Sequence, residues 1–352
     1  MQSNFFGVVA WLATVVVVSA GSGQTDRGEQ GERKQDRRAA SLTEAVNRGL
    51  RTREALLVPL TVDTSTPGRA QQVVIPVEGQ LLTFALLPHS VRAPEYQVLE
   101  HRADGSLAAV KPEPVRTVRG FALEQPEITI AGGVLEDGLY AQVRTPSGRQ
   151  WWVQPAAAVA EAASEALHAI YLGGDVSEFP PACTTESSPQ GAGAGVSLRG
   201  GTARFQALLA VDAEFQFYRQ TGSSSRTQSM VNLLVNVVNV QYEREVDIRH
   251  LLGTVIIRTF QNYDPTSTTQ NMRQQFQAWW NANHQAVPRD VAIQLDANGN
   301  GGQAAPGNGV CDIPNAYAGC GMDWYNLASR TDVIAHELGH LWGACHCACS
   351  SP

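Results

Sequence analysis

The sequence predicts an α/β protein in which a β-rich N-terminal region precedes a three-layer domain with a largely parallel sheet. Three observations carry this expectation. Residues 56–155 run in short apolar-polar alternations broken by turns. After residue 202, strand-like and helix-like stretches follow in the order β-α-β-α-β. Near the C-terminus one helix-length stretch holds three of the chain's eight histidines.

The chain has 352 residues, a net charge of −7, 43% hydrophobic residues and 17% charged residues. At roughly 150 residues per domain this length suits about two domains, each with its own core. The mild acidity argues against a nucleic-acid partner, since no basic excess is present to neutralise phosphates. The hydrophobic fraction is too high for a wholly disordered chain.

Taken in chain order, residues 5–20 (FFGVVAWLATVVVVSA) are nearly all apolar and end in Val18-Ser19-Ala20. The run is short of the ~20 residues a spanning helix needs, so residues 1–20 read as a signal peptide. The leading MQSN lacks the usual Lys or Arg, and an uncleaved membrane anchor is the alternative. Export predicts a secreted protein, with no stable membrane insertion after signal cleavage and with disulfides able to persist. Residues 21–55 read as a charged linker and the start of the region that follows, and the leading GSGQTDRGEQGERKQDRR cannot bury a core.

Residues 56–172 supply the β-rich region. QQVVIPV, QLLTFALL, EYQVLEH, ITIAGGVL, LYAQVRT and QWWVQPA are its strands, and Asp104-Gly105 and Ser147-Gly148 mark turns. Residues 173–201 are rich in Gly, Pro and Ser, contain Cys183, and read as an exposed connector.

Residues 202–352 make the second domain. RFQALLAVD is a buried strand, and Val231, Leu234, Val235, Val238 and Tyr242 keep helical spacing. LLGTVIIRTF is a second strand. Met272, Phe276, Trp279 and Trp280 form a helical stripe expected to pack in the core, and DVAIQL is a third strand. Asp296-Ala297-Asn298-Gly299-Asn300-Gly301 begins like a calcium loop, but Gly307 stands where the closing Glu belongs. It reads as a turn.

Residues 336–346 spell H-E-x-x-H-x-x-G-x-x-H, with His336, Glu337, His340, Gly343 and His346. Independent draws would produce this pattern in on the order of 10⁻⁵ of such chains. On a helix, His336 and His340 lie about 40° apart, one turn from each other, so both can reach one metal ion. Ile334, Leu338 and Leu341 form the opposite, buried stripe, with Ser329 or Thr331 as candidate caps and Asp332 in the first turn. Glu337 sits beside the histidines, placed to reach a water on the metal. Gly343 allows a left-handed turn that returns His346 to the ion. Three imidazoles leave a fourth position open, as a catalytic zinc site requires. A closed site using a thiolate of Cys345, Cys347 or Cys349 in place of His346 is the competing arrangement.

This extended motif resembles that of the metzincin metalloproteases. AEFQFYRQTG, YEREVDI and FQAWWNAN resemble the adamalysin/reprolysin branch. APEYQVLEH and GLYAQVRTPSGRQWWVQP are similar to a reprolysin-type propeptide. The resemblance implies a twisted mixed sheet with an active-site helix, preceded by a β-rich prodomain. It implies a secreted zinc metalloendopeptidase zymogen acting on protein or peptide substrates, with Zn2+ on His336, His340 and His346 and Glu337 as general base. It also implies that Cys183 is an inhibitory zinc ligand, although a pairing of Cys183 with a later cysteine stays open. Release would need cleavage between about Thr184 and Thr202, with Arg199-Gly200 as one candidate. By the same resemblance residues 309–319 form the antiparallel edge strand, with a local Cys311–Cys320 disulfide as one pairing.

One departure stands out. Metzincins place a methionine turn after the third histidine, whereas Met1, Met230, Met272 and Met322 all precede His346. The expectation is a chain recorded without its C-terminal part, with partners for the crowded cysteines beyond Pro352. An inactive pseudo-protease or binding module is the alternative.

Overall fold

The computed structural model describes residues 39–177, 205–264, 269–305, 309–322, 326–344 and 346. The expected signal peptide, Cys183, the candidate cleavage site, Cys345, Cys347 and Cys349 lie outside these residues. Residues 1–41 form one unit, described only where a helix over residues 39–50 (α1) begins, and residues 42–352 form the other. No helix of the described residues is long and apolar enough to cross a membrane.

Within the unit of residues 42–352 the chain is a mixed α/β structure with two sheets. Its strands are β1 (Ala55–Pro59), β2 (Gln71–Val77), β3 (Gln80–Pro88), β4 (Arg92–His101), β5 (Leu107–Val110), β6 (Thr117–Ala122), β7 (Thr129–Leu135), β8 (Gly138–Arg144), β9 (Gln150–Pro155) and β10 (Leu167–Leu172). These are followed by β11 (Phe205–Ala213), β12 (Ile248–Arg258), β13 (Val291–Asp296), β14 (Asn300–Ala304) and β15 (Tyr317–Met322). The helices are α2 (Phe215–Thr221), α3 (Ser224–Glu245), α4 (Thr269–Asn283) and α5 (Leu327–Leu341).

The first sheet has eight strands in the order β1-β10-β9-β8-β7-β6-β3-β2, all antiparallel. Alternation drives it. In β3, Leu82, Phe84 and Leu86 are buried while Leu81 and Leu87 face outward, as period-2 strands with one solvated face require. The second sheet has seven strands in the order β14-β15-β13-β11-β12-β4-β5. Its centre, β12-β11-β13-β15, is parallel, so Val291–Asp296 is buried on both faces.

The β-α-β-α-β order is present as β11, α2/α3, β12, α4 and β13. Two features differ from expectation. The hairpin β4-β5, from the β-rich region, joins the second sheet, with β4 parallel to β12. The edge strand is β14, not residues 309–319. Residues 309–316 are turns, and Tyr317–Met322 runs inside the sheet, parallel to β13 and antiparallel to β14. Asp296 Oδ1 accepts from the backbone N–H of Asn298 at 2.9 Å, so the calcium-like residues make the tight turn into β14.

Helix α3 lies between the sheets. Its Ser223 cap accepts from the N–H of Arg226, and every residue from Thr227 to Asn239 is buried. A helix buried all round needs cover on every side. Leu252, Val255 and Ile257 of β12 share one hydrophobic cluster with its apolar residues, and so do Leu135, Tyr140 and Trp152 of the first sheet. On the other face of the second sheet, Phe276 and Trp280 of α4 are buried against Tyr317, while Trp279 turns outward, 38% exposed. Asp212 and Arg258, both fully buried, pair there at 2.6 Å, and Trp280 Nε1 donates to Asp212 at 2.6 Å. Burial without this pairing would carry a large desolvation cost.

Candidate metal centre

Helix α5 starts earlier than its sequence suggests. Asn326 is the cap, its Oδ1 accepting from the N–H of Ser329 at 2.7 Å, so neither Ser329 nor Thr331 caps and Asp332 lies beyond the first turn. Ile334, Leu338 and Leu341 are buried, as the stripe requires. The helix ends in a Schellman turn. Gly343 has φ of 86°, its N–H donates to His340 O at 2.9 Å, and Ala344 N–H donates to Gly339 O at 2.9 Å.

That turn does two things. It brings His346 back over the helix, and it places the carbonyl of Ala344 2.7 Å from His340 Nδ1. A carbonyl oxygen only accepts, so Nδ1 carries the ring proton and Nε2 keeps its lone pair. The three Nε2 atoms converge, at 3.0 Å for His336–His340, 3.1 Å for His340–His346 and 3.2 Å for His336–His346. Zinc–nitrogen bonds of 2.0–2.1 Å in a tetrahedron separate nitrogens by about 3.3 Å. The donors therefore fit a first-row divalent ion. His340 is buried, whereas His336 and His346 are exposed. Among the described residues this is the only His/Cys/Asp/Glu group with such an arrangement. A cavity of about 880 Å³ borders His336, walled by Tyr242, Ala335, Gly339, Trp342 and Gly343.

Glu337 is fully buried beside the triad. Its side chain lies against Gly302 of β14, where a Cβ would stand 2.4 Å from Glu337 Cγ. Cys320 of β15 shares this environment. Burial and the Glu337 carboxylate hold its thiol well above the usual range, so it stays protonated. Cys311 and Cys320 are both free, Cys311 exposed and Cys320 buried, so the local disulfide is not formed. The Cys311 thiol instead faces Asp290 Oδ1 at 3.7 Å.

Three further contacts fix the helix, and sequence reasoning missed them. Tyr242 of α3 donates to the carbonyl of Ala335 at 2.7 Å. Trp342 Nε1 donates to His250 Nε2 at 3.0 Å, and His250 is held by Asn239, whose Oδ1 accepts from its N–H at 2.8 Å. Complete burial lowers the His250 pKa to about 4, which keeps the ring a neutral acceptor. At the opposite end, the N–H of Leu327 donates to Gln154 Oε1 at 2.9 Å and to Tyr171 Oη at 3.2 Å. Only Tyr242, on a helical stripe, carried any local signal in the sequence.

Residues 202–352 match the family model described as metallo-peptidase family M12, Reprolysin_5. No curated protein sequence matches the chain. Among solved structures, metalloproteinase-II from Bacteroides fragilis superposes with a TM-score of 0.40 and 11% identity, over 79% of this chain and 82% of that one. A chaperone-substrate complex superposes with a TM-score of 0.31 and 10% identity, over 70% of this chain and 29% of that one.

Proposed function

Proceeding from the M12 metallopeptidase match, we propose that this protein is a zinc-dependent metalloendopeptidase of the metzincin, reprolysin-like type, cleaving protein or peptide substrates. The observation that carries the reading is the approach of three imidazole nitrogens to within 3.0–3.2 Å of one another, beside a buried carboxylate. A zinc ion held by these nitrogens would supply a water of lowered pKa and polarise the substrate carbonyl.

The chain's own residues do the rest. His336, His340 and His346 would hold the ion through their three Nε2 atoms. Glu337 accepts the proton of the attacking water on its carboxylate and returns it to the leaving amine. Its burial keeps that proton out of exchange with bulk water. β14 is the last strand at its end of the second sheet among the described residues. It can take an extended peptide as an added strand.

The reading extends to export behind residues 1–20 and to a latent form, with residues 56–172 as propeptide and Cys183 as an inhibitory zinc ligand. Cys183→Ala then raises the activity of the uncleaved chain, and unchanged latency removes the cysteine from that role. The central test is Glu337→Ala. It should keep one zinc per chain and lower peptide cleavage by about 10²–10⁴-fold. Cleavage at the original rate in the zinc-loaded variant refutes the assignment.

A further inference from the structure

The region before the connector and the region after it are built into each other. Strand β4 pairs in parallel with β12 from Thr254↔Gln97 to Arg258↔His101, so it covers what would be a bare edge of the second sheet. An uncovered parallel edge is unusual, because such sheets are normally shielded on all sides. Helix α3 has no solvent face from Thr227 to Asn239, and the first sheet supplies part of its cover.

Polar contacts line this junction. Asn232 Oδ1 accepts from Arg92 Nε at 2.8 Å. Asn236 Nδ2 donates to the carbonyls of Val118 at 3.0 Å and Gly132 at 2.9 Å, and its Oδ1 accepts from Arg119 Nε at 2.9 Å. Arg119 also pairs with Glu243 at 2.7 Å, and Arg226 with Asp137 at 2.6 Å. Separation would leave buried amides and charges without their partners on either side. Gln154 and Tyr171, 0% and 1% exposed, also hold the first N–H of α5, the helix that carries His336 and His340.

We infer that residues 42–177 are a lasting subunit of the catalytic unit. After cleavage anywhere in 178–204, the two pieces remain a non-covalent complex, and the N-terminal piece goes on supporting the zinc helix. Relief of latency then concerns the connector alone, and the first sheet stays. This regulatory consequence rests on the peptidase reading, while the association itself does not.

The test uses the full chain with Glu337→Gln, so that self-cleavage plays no part, and with a recognition sequence for a specific protease inserted between Gln190 and Gly191. After nicking, size-exclusion chromatography at micromolar concentration should return both pieces in one peak, with the zinc content of the uncut chain. Separate elution of the N-terminal piece in native buffer overturns the inference. So does one shared peak that has lost the zinc the uncut chain retained. Failure of the uncut chain to hold zinc counts against the peptidase reading alone, because co-elution does not depend on it. Arg119→Ala in the same background should speed dissociation of the nicked complex by on the order of tenfold or more. Uncut Arg119→Ala chain should elute as its parent does, and an unchanged dissociation rate counts against this junction as the adhesive surface.

Discussion

Replacing Gly302 with alanine tests whether the position of Glu337, apart from its presence, sets the rate. A methyl group at 302 would stand 2.4 Å from Glu337 Cγ and 2.6 Å from Cδ and Oε1. Carbon atoms rest at about 3.5–4.0 Å, so the carboxylate has to move by about 1 Å. Gly301 has φ of 95°, whereas Gly302 is not among the positive-φ glycines, so alanine fits the strand backbone and the effect is steric. A displacement of about 1 Å in a positioned catalytic group costs about 10²-fold in rate, or about 2.7 kcal/mol of transition-state stabilisation. The three imidazoles are untouched. The assay is cleavage of a fluorogenic peptide by the activated protein, with zinc measured on the same sample. Expected are a kcat lowered by about 10²-fold, a KM close to the parent value and one zinc per chain. A kcat within twofold of the parent would refute the reasoning, and loss of zinc would transfer the effect to the metal.

Two other predictions follow from the same helix. Gly343→Ala places a side chain at φ of 86°, which should cost about 1–2 kcal/mol and loosen the turn that returns His346. Thermal melts of the metal-free protein read the first effect, and zinc titration reads the second, where parental affinity would separate the turn from the site. His250 sets an acid limit on stability. The unfolded chain binds its proton near pH 6.5 and the folded chain only near pH 4, so between these values the unfolded state holds more protons. This contribution is therefore fully present above pH 6.5 and is lost as pH falls toward 4, by about 3 kcal/mol. Denaturant curves of metal-free protein check this. His250→Gln should flatten the acid slope, and an identical slope would show that other groups govern it.

The three clustered histidines were legible because their relation is local. Spacings of four and six residues on a helix and its terminal turn fix the geometry of His336, His340 and His346 without help from elsewhere. The alternating strands of the first sheet were legible for the same reason, since period 2 is written into each segment. The start of α5 was not, because Ser329, Thr331 and Asn326 are all competent caps and only the surrounding packing selects Asn326. The edge strand was misplaced because Asn300-Gly301-Gly302 has the composition of a turn. It is strand because β15 pairs with it. The junction of β4 with β12 joins residues such as Gln97 and Thr254, 157 positions apart, and the hold of Gln154 and Tyr171 on Leu327 is of the same kind. No local pattern encodes either. A Cys311–Cys320 disulfide was one pairing open under the family resemblance, but the pleat of β15 turns Cys320 into the core beside Glu337.

The burial of α3 on all sides also sets the order in which this chain can mature. A polypeptide leaves the ribosome N-terminus first, and its domains tend to fold as they emerge. Here the first sheet is complete by Leu172, before the residues of α3 are made. The helix therefore emerges opposite a surface that already displays the carbonyls of Val118 and Gly132 and the side chain of Arg119 to its Asn236. β12, made after the helix, then pairs with β11 and closes over its other side. Pairing β4 with β12 across so long a loop is slow on its own, and a helix already anchored to the first sheet shortens that search. The N-terminal half would then serve as the template on which the half carrying His336, His340 and His346 is assembled.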